Sequence, residues 1–426
     1  MFPERLVSGE PLKLDTLADV IHQSIKTTGP LPLSSFMRQC LTHPTMGYYT
    51  TRDPFGSQGD FVTSPEISSM FGEIIGVWFF SVWLAQKTPT PVRFMEFGPG
   101  RGTLMLDVLR SFDQLHTKFG GEKRVPVDVL MVEASQVLRE AQWKKLCHVT
   151  EGEVLPHDKE TGSWSAITKG GGKITWVEIE KDVKDSDQYT NYVIAHEFYD
   201  ALPIQQFQKT AQGWREFLVD FRSGEGEIVA DSPQDFHLVL SPRETPFTYI
   251  PKTRPRFNDL PVGTKVEVCP DSFSYSKAIA EIISSNKNGT GASLIIDYGP
   301  EATRVPEQTL RGIRDHKFVS PFSDCGNVDL SADVDFGTIR EIMHENGCKT
   351  FGPVEQGDWL NTMGLGYRTF QLVEKAATEV ERTQLEDSFI RLVAKDDQSM
   401  GGIYKVLAVF PEGSDEVPVG FGEGKL

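Results

Sequence analysis

One stretch of the sequence combines a strand, a glycine-rich turn and a helix, and it limits the possible folds more than any other. Residues 92–97 form a short apolar run that predicts a strand, and residues 103–115 have helical periodicity. Between them lies Gly98-Pro99-Gly100-Arg101-Gly102. Because glycines let the backbone turn tightly and approach a ligand closely, this stretch predicts the cofactor loop of a doubly wound α/β sheet.

The spacing of these glycines favours a cofactor without phosphate groups. The pattern is G-x-G-x-G, and Thr103 stands where a dinucleotide-binding fingerprint has its last glycine. Glu96, directly before the loop, would repel a pyrophosphate but suits the amino and sulfonium cations of S-adenosyl-L-methionine. We therefore predict that this cofactor is bound by Glu96, Gly98, Pro99, Gly100, Gly102 and Thr103. An ordinary glycine turn is the alternative.

The second predicted strand, residues 127–132, leads into three further candidate cofactor residues, Glu133, Ala134 and Ser135. A carboxylate at this position of a doubly wound sheet accepts hydrogen bonds from the ribose hydroxyls, which is the role we predict for Glu133. In the alternative interpretation, Ser135 is the N-cap of the next helix and Glu133 is merely solvated.

The alternation of strands and helices predicts a Rossmann-like class I methyltransferase sheet, doubly wound and mainly parallel, with an N-terminal helical extension. Residues 1–90 are assigned to that helical region and residues 91–335 to the methyltransferase domain. A β-rich insertion at about 203–270 is expected to shape the substrate pocket. Residues 336–426 are predicted to supply a C-terminal helix and strand that complete the sheet.

Some local predictions depend on single residues. The apolar stretch 67–84 is predicted to be a buried helix and not a membrane span, because glycines and a glutamate interrupt it. Its start is placed at Ser64, as N-cap, with Pro65 at the first helical position. Residues 299–330 are predicted to form a long loop, and residues 413–426 a loose tail.

The charge balance limits the partners of the chain. There are 60 acidic and 43 basic side chains, a formal net charge of -17, and no run of Lys or Arg. Nucleic acid is therefore not an expected partner. The negative electrostatic field of the chain suits an arginine-bearing protein, although the charge can also serve solubility alone.

The five cysteines are widely spaced and predict a reducing compartment. The first 20 residues lack the pattern of a secretory signal or a typical transit peptide.

Acidic residues also follow the strand predicted at residues 192–195, in His196-Glu197-Phe198-Tyr199-Asp200. In a doubly wound sheet this tip faces the transferred group, so Glu197 and Asp200 are the predicted catalytic pair, with Asp60 as a third acid. The alternative is that the pair satisfies backbone amides at a helix start.

Other polar residues are given no catalytic role. His196 is interpreted as a neighbour of the acidic pair with its own hydrogen bonds satisfied, and not as a base. No metal site is predicted, and loop capping is the interpretation for three later acids, Asp297, Asp333 and Asp335.

Over nearly its whole length the chain resembles the MidA family, the mitochondrial complex I assembly-factor arginine methyltransferases. The shared motifs are Gly47-Tyr48-Tyr49, Gly59 to Glu66, Glu96 to Thr103, Glu197 to Pro203, Trp214-Arg215-Glu216, Asp297-Tyr298-Gly299, Leu310-Arg311-Gly312, His316 and Asp329 to Phe336. Two departures are Ser331, where the family usually has Thr, and Cys325, in a loop where Pro is common. The resemblance implies S-adenosyl-L-methionine as donor, the mitochondrial matrix as location, and methylation of an arginine in the large catalytic-core subunit of complex I, needed for complex I assembly.

An arginine substrate would give the acidic residues a chemical task. A guanidinium is fully protonated, with a pKa above ~12, and is therefore a poor nucleophile. Carboxylates that grip one side of it hold the positive charge there and leave electron density on the other terminal nitrogen. Positioning for in-line attack would be their main contribution. Three aromatic residues are candidates to pack on a cation: Phe61, Phe198 and Tyr199.

Two other functions compete with this one. A methyltransferase that acts on a nitrogen of nucleic acid would usually show Asn/Asp-Pro-Pro-aromatic at the strand tip and a basic surface, which this sequence lacks. A non-catalytic assembly chaperone that only binds the cofactor would keep the same loops. No stable membrane insertion is expected, and the sequence leaves the oligomeric state open.

Overall fold

The computed structural model describes residues 14–51, 63–87, 91–119, 127–221, 236–414 and 417–422. Within them the helices are α1 (Leu17–Thr28), α2 (Leu33–Thr42), α3 (Tyr48–Thr51), α4 (Ser64–Ile67), α5 (Ser69–Gln86), α6 (Thr103–Phe119), α7 (Gln136–Leu146), α8 (Tyr249–Thr253), α9 (Pro270–Ile283), α10 (Phe336–Glu345), α11 (Gln356–Thr362), α12 (Leu365–Val373) and α13 (Glu379–Val393). The strands are β1 (Leu31–Pro32), β2 (Val92–Phe97), β3 (Val127–Val132), β4 (His157–Asp158), β5 (Ser163–Ile167), β6 (Lys173–Val177), β7 (Thr190–His196), β8 (Gln205–Thr210), β9 (Gly213–Phe221), β10 (Phe236–Leu240), β11 (Lys265–Val268), β12 (Gly291–Tyr298), β13 (Arg311–Arg314), β14 (Lys317–Val319), β15 (Asp329–Ser331), β16 (Cys348–Glu355) and β17 (Tyr404–Pro411).

A large sheet forms the centre of the molecule, with the strand order β16-β17-β12-β7-β2-β3-β6-β5-β4 among the described residues. The five strands from β12 to β6 are parallel, whereas β17 runs antiparallel to both of its neighbours. The strand order reverses direction at β2, which leaves a crevice at the carboxyl ends of β2 and β7.

Helices cover both faces of this sheet. On one face, α5 and α6 pack on apolar side chains such as Phe94 and Tyr192. On the other face, α9 and α10 pack on side chains such as Val193 and Leu407. Because strand side chains alternate between faces, the buried parallel strands are apolar on both sides. The predicted doubly wound, Rossmann-like fold is confirmed.

A second sheet, with the order β1-β9-β8-β11 and β10 paired to β9, is formed mostly by the segment between β7 and α9. The N-terminal helices α1 and α2 pack against this sheet through Ile21, Phe36 and Val219. A small third sheet, β14-β13-β15, covers parts of residues 311–331, so the long loop predicted for residues 299–330 is wrong. These strands are only three or four residues long, too short to show a period in the sequence.

The helix predicted from Ser64 is in fact two helices. Thr63, and not Ser64, is the N-cap of α4, and α4 ends after four residues. The backbone is extended at Ser68, with φ −158°, and its hydroxyl accepts a hydrogen bond from the amide of Met70, which starts α5. Among the described residues, α5 alone is long and apolar enough to cross a membrane, and 61% of that helix is buried inside the protein.

Part of the predicted loose tail is packed. Within residues 417–422, the carbonyl oxygen of Val419 accepts a hydrogen bond from the indole Nε1 of Trp78 at 3.0 Å. The Phe421 ring lies 6.3 Å from that of Trp78 and 6.4 Å from that of Trp359. The tail prediction is therefore wrong for these residues, because one phenylalanine among glycines and prolines gives no periodic signal.

Candidate functional site

The glycine loop has the geometry that its sequence predicts. Gly98, Gly100 and Gly102 have φ angles of 62°, 50° and 75°, in the left-handed region that favours glycine. A Cβ on Gly98 would lie 2.9 Å from Cδ2 of Phe198, so the backbone there passes close to the tip of β7. The amide of Gly98 donates to the carbonyl oxygen of Val132, which joins the ends of β2 and β3.

A buried glutamine, Gln142 on α7, holds the loop to the end of β3. Its amide nitrogen donates to the carbonyl oxygen of Gly100 at 2.7 Å and lies 3.3 Å from Oε2 of Glu133. Its amide oxygen accepts from the indole of Trp176 at 2.8 Å. The side chain is fully buried, and its polar contacts connect the cofactor loop, the residue after β3 and the β6 tryptophan.

Glu133 is buried, not solvated. Burial raises its pKa to about 7, although the amide of Ser135 donates to its Oε1 at 2.7 Å and Gln142 also supports the charged form. Ser135 is the N-cap of α7, as the alternative interpretation had it, since its hydroxyl accepts from Leu138. The carbonyl oxygens of Glu133 and Ala134 both accept hydrogen bonds from the Arg139 side chain.

Glu96 is the strongest sign of a cationic ligand. It is 3% exposed, and its Oε2 has no hydrogen-bond partner among the described residues. Burial, together with the nearby charge of Glu133, raises the pKa of Glu96 well above its usual range. The cleft beside it is lined by glycine-loop residues and by others from α4 and the tip of β7, including Pro65, Glu66, His196 and Glu197. An unpaired buried carboxylate next to a glycine cradle fits the amino and sulfonium cations of S-adenosyl-L-methionine.

The short helix α4 lies over this cleft. Oε1 of Glu66 accepts a hydrogen bond from the Thr103 hydroxyl at 2.6 Å, and Lys145 also donates to that hydroxyl. Thr103, at the start of α6, therefore joins α4 and α7 to the glycine loop. The buried Ser64 hydroxyl in turn contacts Sδ of Met400 at 3.6 Å.

Two acidic side chains meet at the carboxyl end of β7. Glu197 has a φ angle of 48°, in the left-handed region, and its side chain is only 13% exposed. Burial, and to a lesser extent the charge of Asp200, raises the pKa of Glu197 to about 8. Hydrogen bonds from the Ser64 amide and the Tyr404 hydroxyl act in the opposite direction, because they stabilise the charged carboxylate. Such strain and such a raised pKa are typical of a functional position.

Asp200 is held by a polar network. Its Oδ2 accepts from the Tyr298 hydroxyl, which lies 2.7 Å from the Ser331 hydroxyl. Arg311 donates to Asp333, contacts Ser331 and lies over the Tyr298 ring, with 4.8 Å between Cζ and the ring centroid. Burial raises the pKa of Asp200, while Tyr298 and Arg311 oppose that shift.

Asp297 determines the shape of the turn that carries Glu197 and Asp200. Its Oδ2 accepts from the backbone amides of Phe198, Tyr199 and Asp200 at 3.2, 3.0 and 3.3 Å. The amides of residues 198–200 are thus capped by Asp297, whereas Glu197 accepts from the amide of Ser64 at the start of α4 and Asp200 from the amide of Ala201, so the alternative interpretation of this pair holds in part. The capping interpretation of Asp297 is confirmed, as is that of Asp335, which accepts from the amide of Thr338.

His196 is uncharged in this environment. Burial lowers its pKa to about 3, and its ring packs 5.2 Å from that of Phe71. Its Nε2 lies 3.3 Å from Oε1 of Glu197, but at neutral pH this is a contact with a neutral imidazole. A histidine with so low a pKa is a poor general base near pH 7.

The structure thus brings the predicted glycine loop, Glu133, Glu197 and Asp200 to one edge of the sheet. Asp60 and Phe61 lie outside the described residues. Sequence reasoning missed Gln142, Tyr298, Arg311 and Tyr404 as parts of the site. The last three are identifiable only by their contacts, although two of them lie in motifs shared with the MidA family.

Three comparisons bear on the identity of the chain. Residues 74–354 match a family of S-adenosyl-L-methionine-dependent methyltransferases. The rat (Rattus norvegicus) protein named protein arginine methyltransferase NDUFAF7, mitochondrial, is 38% identical over 91% of this chain and 82% of its own length. Its human (Homo sapiens) counterpart is 36% identical over 91% of this chain and 81% of its length.

A crystal structure of a COG1565 superfamily member from Burkholderia thailandensis, bound to S-adenosyl-homocysteine, has the same fold. It superposes with a TM-score of 0.71 at 22% identity and covers 96% of this chain and 95% of its own. A native structure of a COG1565 protein from the same organism superposes with a TM-score of 0.69.

Fold and family together define a class I methyltransferase that uses S-adenosyl-L-methionine. Within that class, the chain belongs to the MidA family, which includes NDUFAF7. The family resemblance and the predicted cofactor are confirmed.

Proposed function

We propose that this chain is a protein arginine N-methyltransferase of the mitochondrial matrix, which methylates the large catalytic-core subunit of complex I and thereby supports assembly of that complex. Relatives that cover over 90% of the chain carry the name protein arginine methyltransferase, mitochondrial. The observation that carries the proposal is the buried acidic pair at the tip of β7, Glu197 and Asp200, which suits a guanidinium.

The residues at the ends of β2 and β3 would bind the methyl donor. Glu96 would attract its cationic methionyl end, and Glu133 would accept hydrogen bonds from the ribose hydroxyls. The glycine loop, with Gly98, Gly100 and Gly102, leaves room for the nucleoside because it has no side chains there. Pro99, Thr103, Ala134 and Ser135 would complete the proposed cofactor-binding residues, and Thr103 also fixes α4 over the cleft.

Glu197 and Asp200 would hold the substrate guanidinium, and Asp60 is proposed as a third acid. S-Adenosyl-L-methionine supplies a methyl group bonded to a sulfonium, which becomes the neutral thioether of S-adenosylhomocysteine when a terminal nitrogen of the guanidinium takes that methyl. The nitrogen forms its bond to carbon with its own electron pair and loses one proton, so that the methylated guanidinium keeps a single positive charge. Only the ionised carboxylate of Glu197 can accept that proton, and because burial raises its pKa to about 8, the ionised fraction grows as the pH rises towards and above 8.

The arrangement of the turn supports positioning as the main source of catalysis. Asp297 fixes the backbone of residues 198–200, and Tyr298 fixes the carboxylate of Asp200. Two preset carboxylates can orient a planar guanidinium through paired hydrogen bonds, which reduces the entropic cost of reaching the reactive geometry. The closed, buried site also excludes water that would weaken those contacts.

The alternative is an assembly chaperone that binds the cofactor without turnover. The proteins to compare are the wild type, Gly98→Val, Glu197→Gln and a control, Glu386→Gln, on the exposed face of α13. Each is incubated with labelled S-adenosyl-L-methionine and complex I subunits, and peptide mass spectrometry identifies the methylated side chain. We expect arginine methylation by the wild type and the control alone, with cofactor affinity kept in Glu197→Gln.

Each other outcome has a distinct meaning. Retained methylation by Glu197→Gln would remove the role assigned to that carboxylate. Methyl transfer to a residue other than arginine would contradict the substrate class. Cofactor binding by the wild type without any methylated product would favour the chaperone.

A further inference from the structure

A groove lies at the ends of β12 and β17, which in the sheet order are on the opposite side of β7 from β2 and its glycine loop. Its volume is about 920 Å³, near the upper end of the roughly 300–1,000 Å³ range of small-molecule sites. It is bordered by the residue after β12, Gly299, by Lys405 on β17, and by the start of α10. The groove therefore follows the carboxyl edge of the same sheet, where ligands of doubly wound folds bind.

The groove is basic, in contrast to the chain as a whole. Five of its lining residues are Lys or Arg and three are Asp or Glu, whereas the chain has 43 basic and 60 acidic residues. One of the three acids, Asp333, is paired with Arg311, and two of the five bases are paired with carboxylates outside the lining, Arg256 with Asp335 and Lys405 with Glu355. Among the described residues, neither Arg304 nor Arg340 has a carboxylate partner within ion-pair distance, and Arg304 is exposed at the rim. Although Nε of Arg340 donates to the Thr350 hydroxyl, the charge of neither guanidinium is neutralised by a carboxylate, and such groups in a groove attract anionic groups of a partner.

Several residues that line the groove contact, or adjoin in the chain, the residues that hold the acidic pair. Asp333 lines the groove and binds Arg311, whose charge also acts on Asp200. Gly299 follows Tyr298, which donates to Asp200, and Lys405 follows Tyr404, which hydrogen-bonds to Glu197. Residues that border the groove are thus direct neighbours in the chain, or ion-pair partners, of those that hold Glu197 and Asp200, which places the groove and the acidic pair at the same edge of the sheet.

We propose that this groove binds the segment of the protein substrate next to the target arginine, and that this segment carries acidic side chains which pair with Arg304 and Arg340. The inference rests on the proposed function, since it takes an arginine as the group that enters the acidic pair. It adds a rule of selectivity: the preferred arginine has acidic neighbours, despite the net charge of -17 on this chain.

Peptide binding tests this rule without turnover. Two nine-residue fluorescent peptides are used, each with one central arginine, flanked by four glutamates in one and by four glutamines in the other. Their affinities are measured by anisotropy at low salt, with S-adenosylhomocysteine present. We expect the full-length wild type to bind the glutamate peptide at least about tenfold more tightly, and 0.5 M salt to reduce this preference because it screens exposed charges.

The double variant R304E/R340E should lose the preference or invert it. The matched control is R382E/R391E, which reverses the charge of two exposed arginines on α13. Unchanged melting temperature and S-adenosylhomocysteine affinity show that the groove variant is folded, and R304Q/R340Q serves in its place if it is not. Equal binding of the two peptides by the wild type, no binding of either, or a preference that survives in the groove variant would each overturn the inference. If the wild type bound the peptides selectively but methylated no arginine in the assay with labelled S-adenosyl-L-methionine and complex I subunits, the proposed function would be contradicted and the inference about the groove would stand.

Discussion

The side-chain amide of Gln142 donates a hydrogen bond to the carbonyl oxygen of Gly100, with 2.7 Å between nitrogen and oxygen. This bond connects α7, which follows β3, to the loop that follows β2. Since the same side chain also contacts Glu133 and Trp176, it keeps two proposed parts of the cofactor site at a fixed separation.

Replacing Gln142 by alanine should weaken cofactor binding by about 10- to 100-fold. The variant leaves the indole of Trp176 without its acceptor and the Gly100 carbonyl without its donor, and each unsatisfied buried group costs about 1–3 kcal/mol. Isothermal titration with S-adenosylhomocysteine measures the affinity. Gln136→Ala, on the exposed start of the same helix, is the control and should bind like the wild type. Equal affinity for both variants would show that Gln142 has only a packing role.

Replacing Gly98 by alanine should abolish detectable cofactor binding. The new Cβ would lie 2.9 Å from Phe198, and the φ angle of 62° is strained for any residue with a side chain. Gly152→Ala is a suitable control, because its φ angle of 89° causes similar strain and a Cβ there would meet nothing within 4 Å. Titration with S-adenosyl-L-methionine separates the two effects. If Gly152→Ala bound equally poorly, general destabilisation would explain the loss.

The rate of methylation should depend on pH through Glu197. Its pKa is about 8, so lowering the pH through 8 protonates the carboxylate that the proposed mechanism requires. We expect kcat/KM of the wild type to rise from pH 6 to pH 8 and to level off by about pH 9, because kcat/KM reports the groups of the free enzyme. Glu197→Gln should give no methylation above background at any pH, and hence no such rise. The same rise in Glu197→Gln would assign it to another group.

Replacing Tyr298 by phenylalanine should lower kcat by about 10- to 100-fold and leave cofactor affinity unchanged. The hydroxyl donates to Asp200, and without it that buried carboxylate loses a charge-assisted hydrogen bond, which is worth about 1.5–3 kcal/mol. Steady-state kinetics with the complex I subunit and titration of the cofactor measure the two effects. Tyr367→Phe, on an exposed side chain of α12, is the control. A normal kcat in Tyr298→Phe would mean that Asp200 keeps its position without this bond.

The central sheet could be predicted from the sequence because its strands are continuous apolar runs that end at turns. The bounds predicted for β2 and β3 match the structure, at Val92–Phe97 and Val127–Val132. The break at Ser68 could not be predicted, because serine is compatible with a helix and the apolar periodicity continues across it.

The site was predictable only where its residues follow one another in the chain. The glycine loop and the pair Glu197 and Asp200 lie directly after strands, and strand ends determine where such residues meet. Gln142 and Tyr404 contact residues that are 42 and 207 positions away, respectively Gly100 and Glu197. Which face of α7 is buried, and which residue of β17 pairs with Tyr298, are decided by packing and register that no local pattern records.

The position of β17 has a consequence for biosynthesis. This strand lies between β12 and β16, although it is the last strand of the described chain, and it carries the tyrosine that hydrogen-bonds to Glu197. A nascent chain that has emerged only through residue 398 exposes the hydrogen-bonding edge of β12 and lacks that hydroxyl. Since unpaired strand edges promote aggregation, the protein should need protection by chaperones until synthesis is nearly finished, and a nonsense mutation even close to residue 400 should remove both the fold and the site.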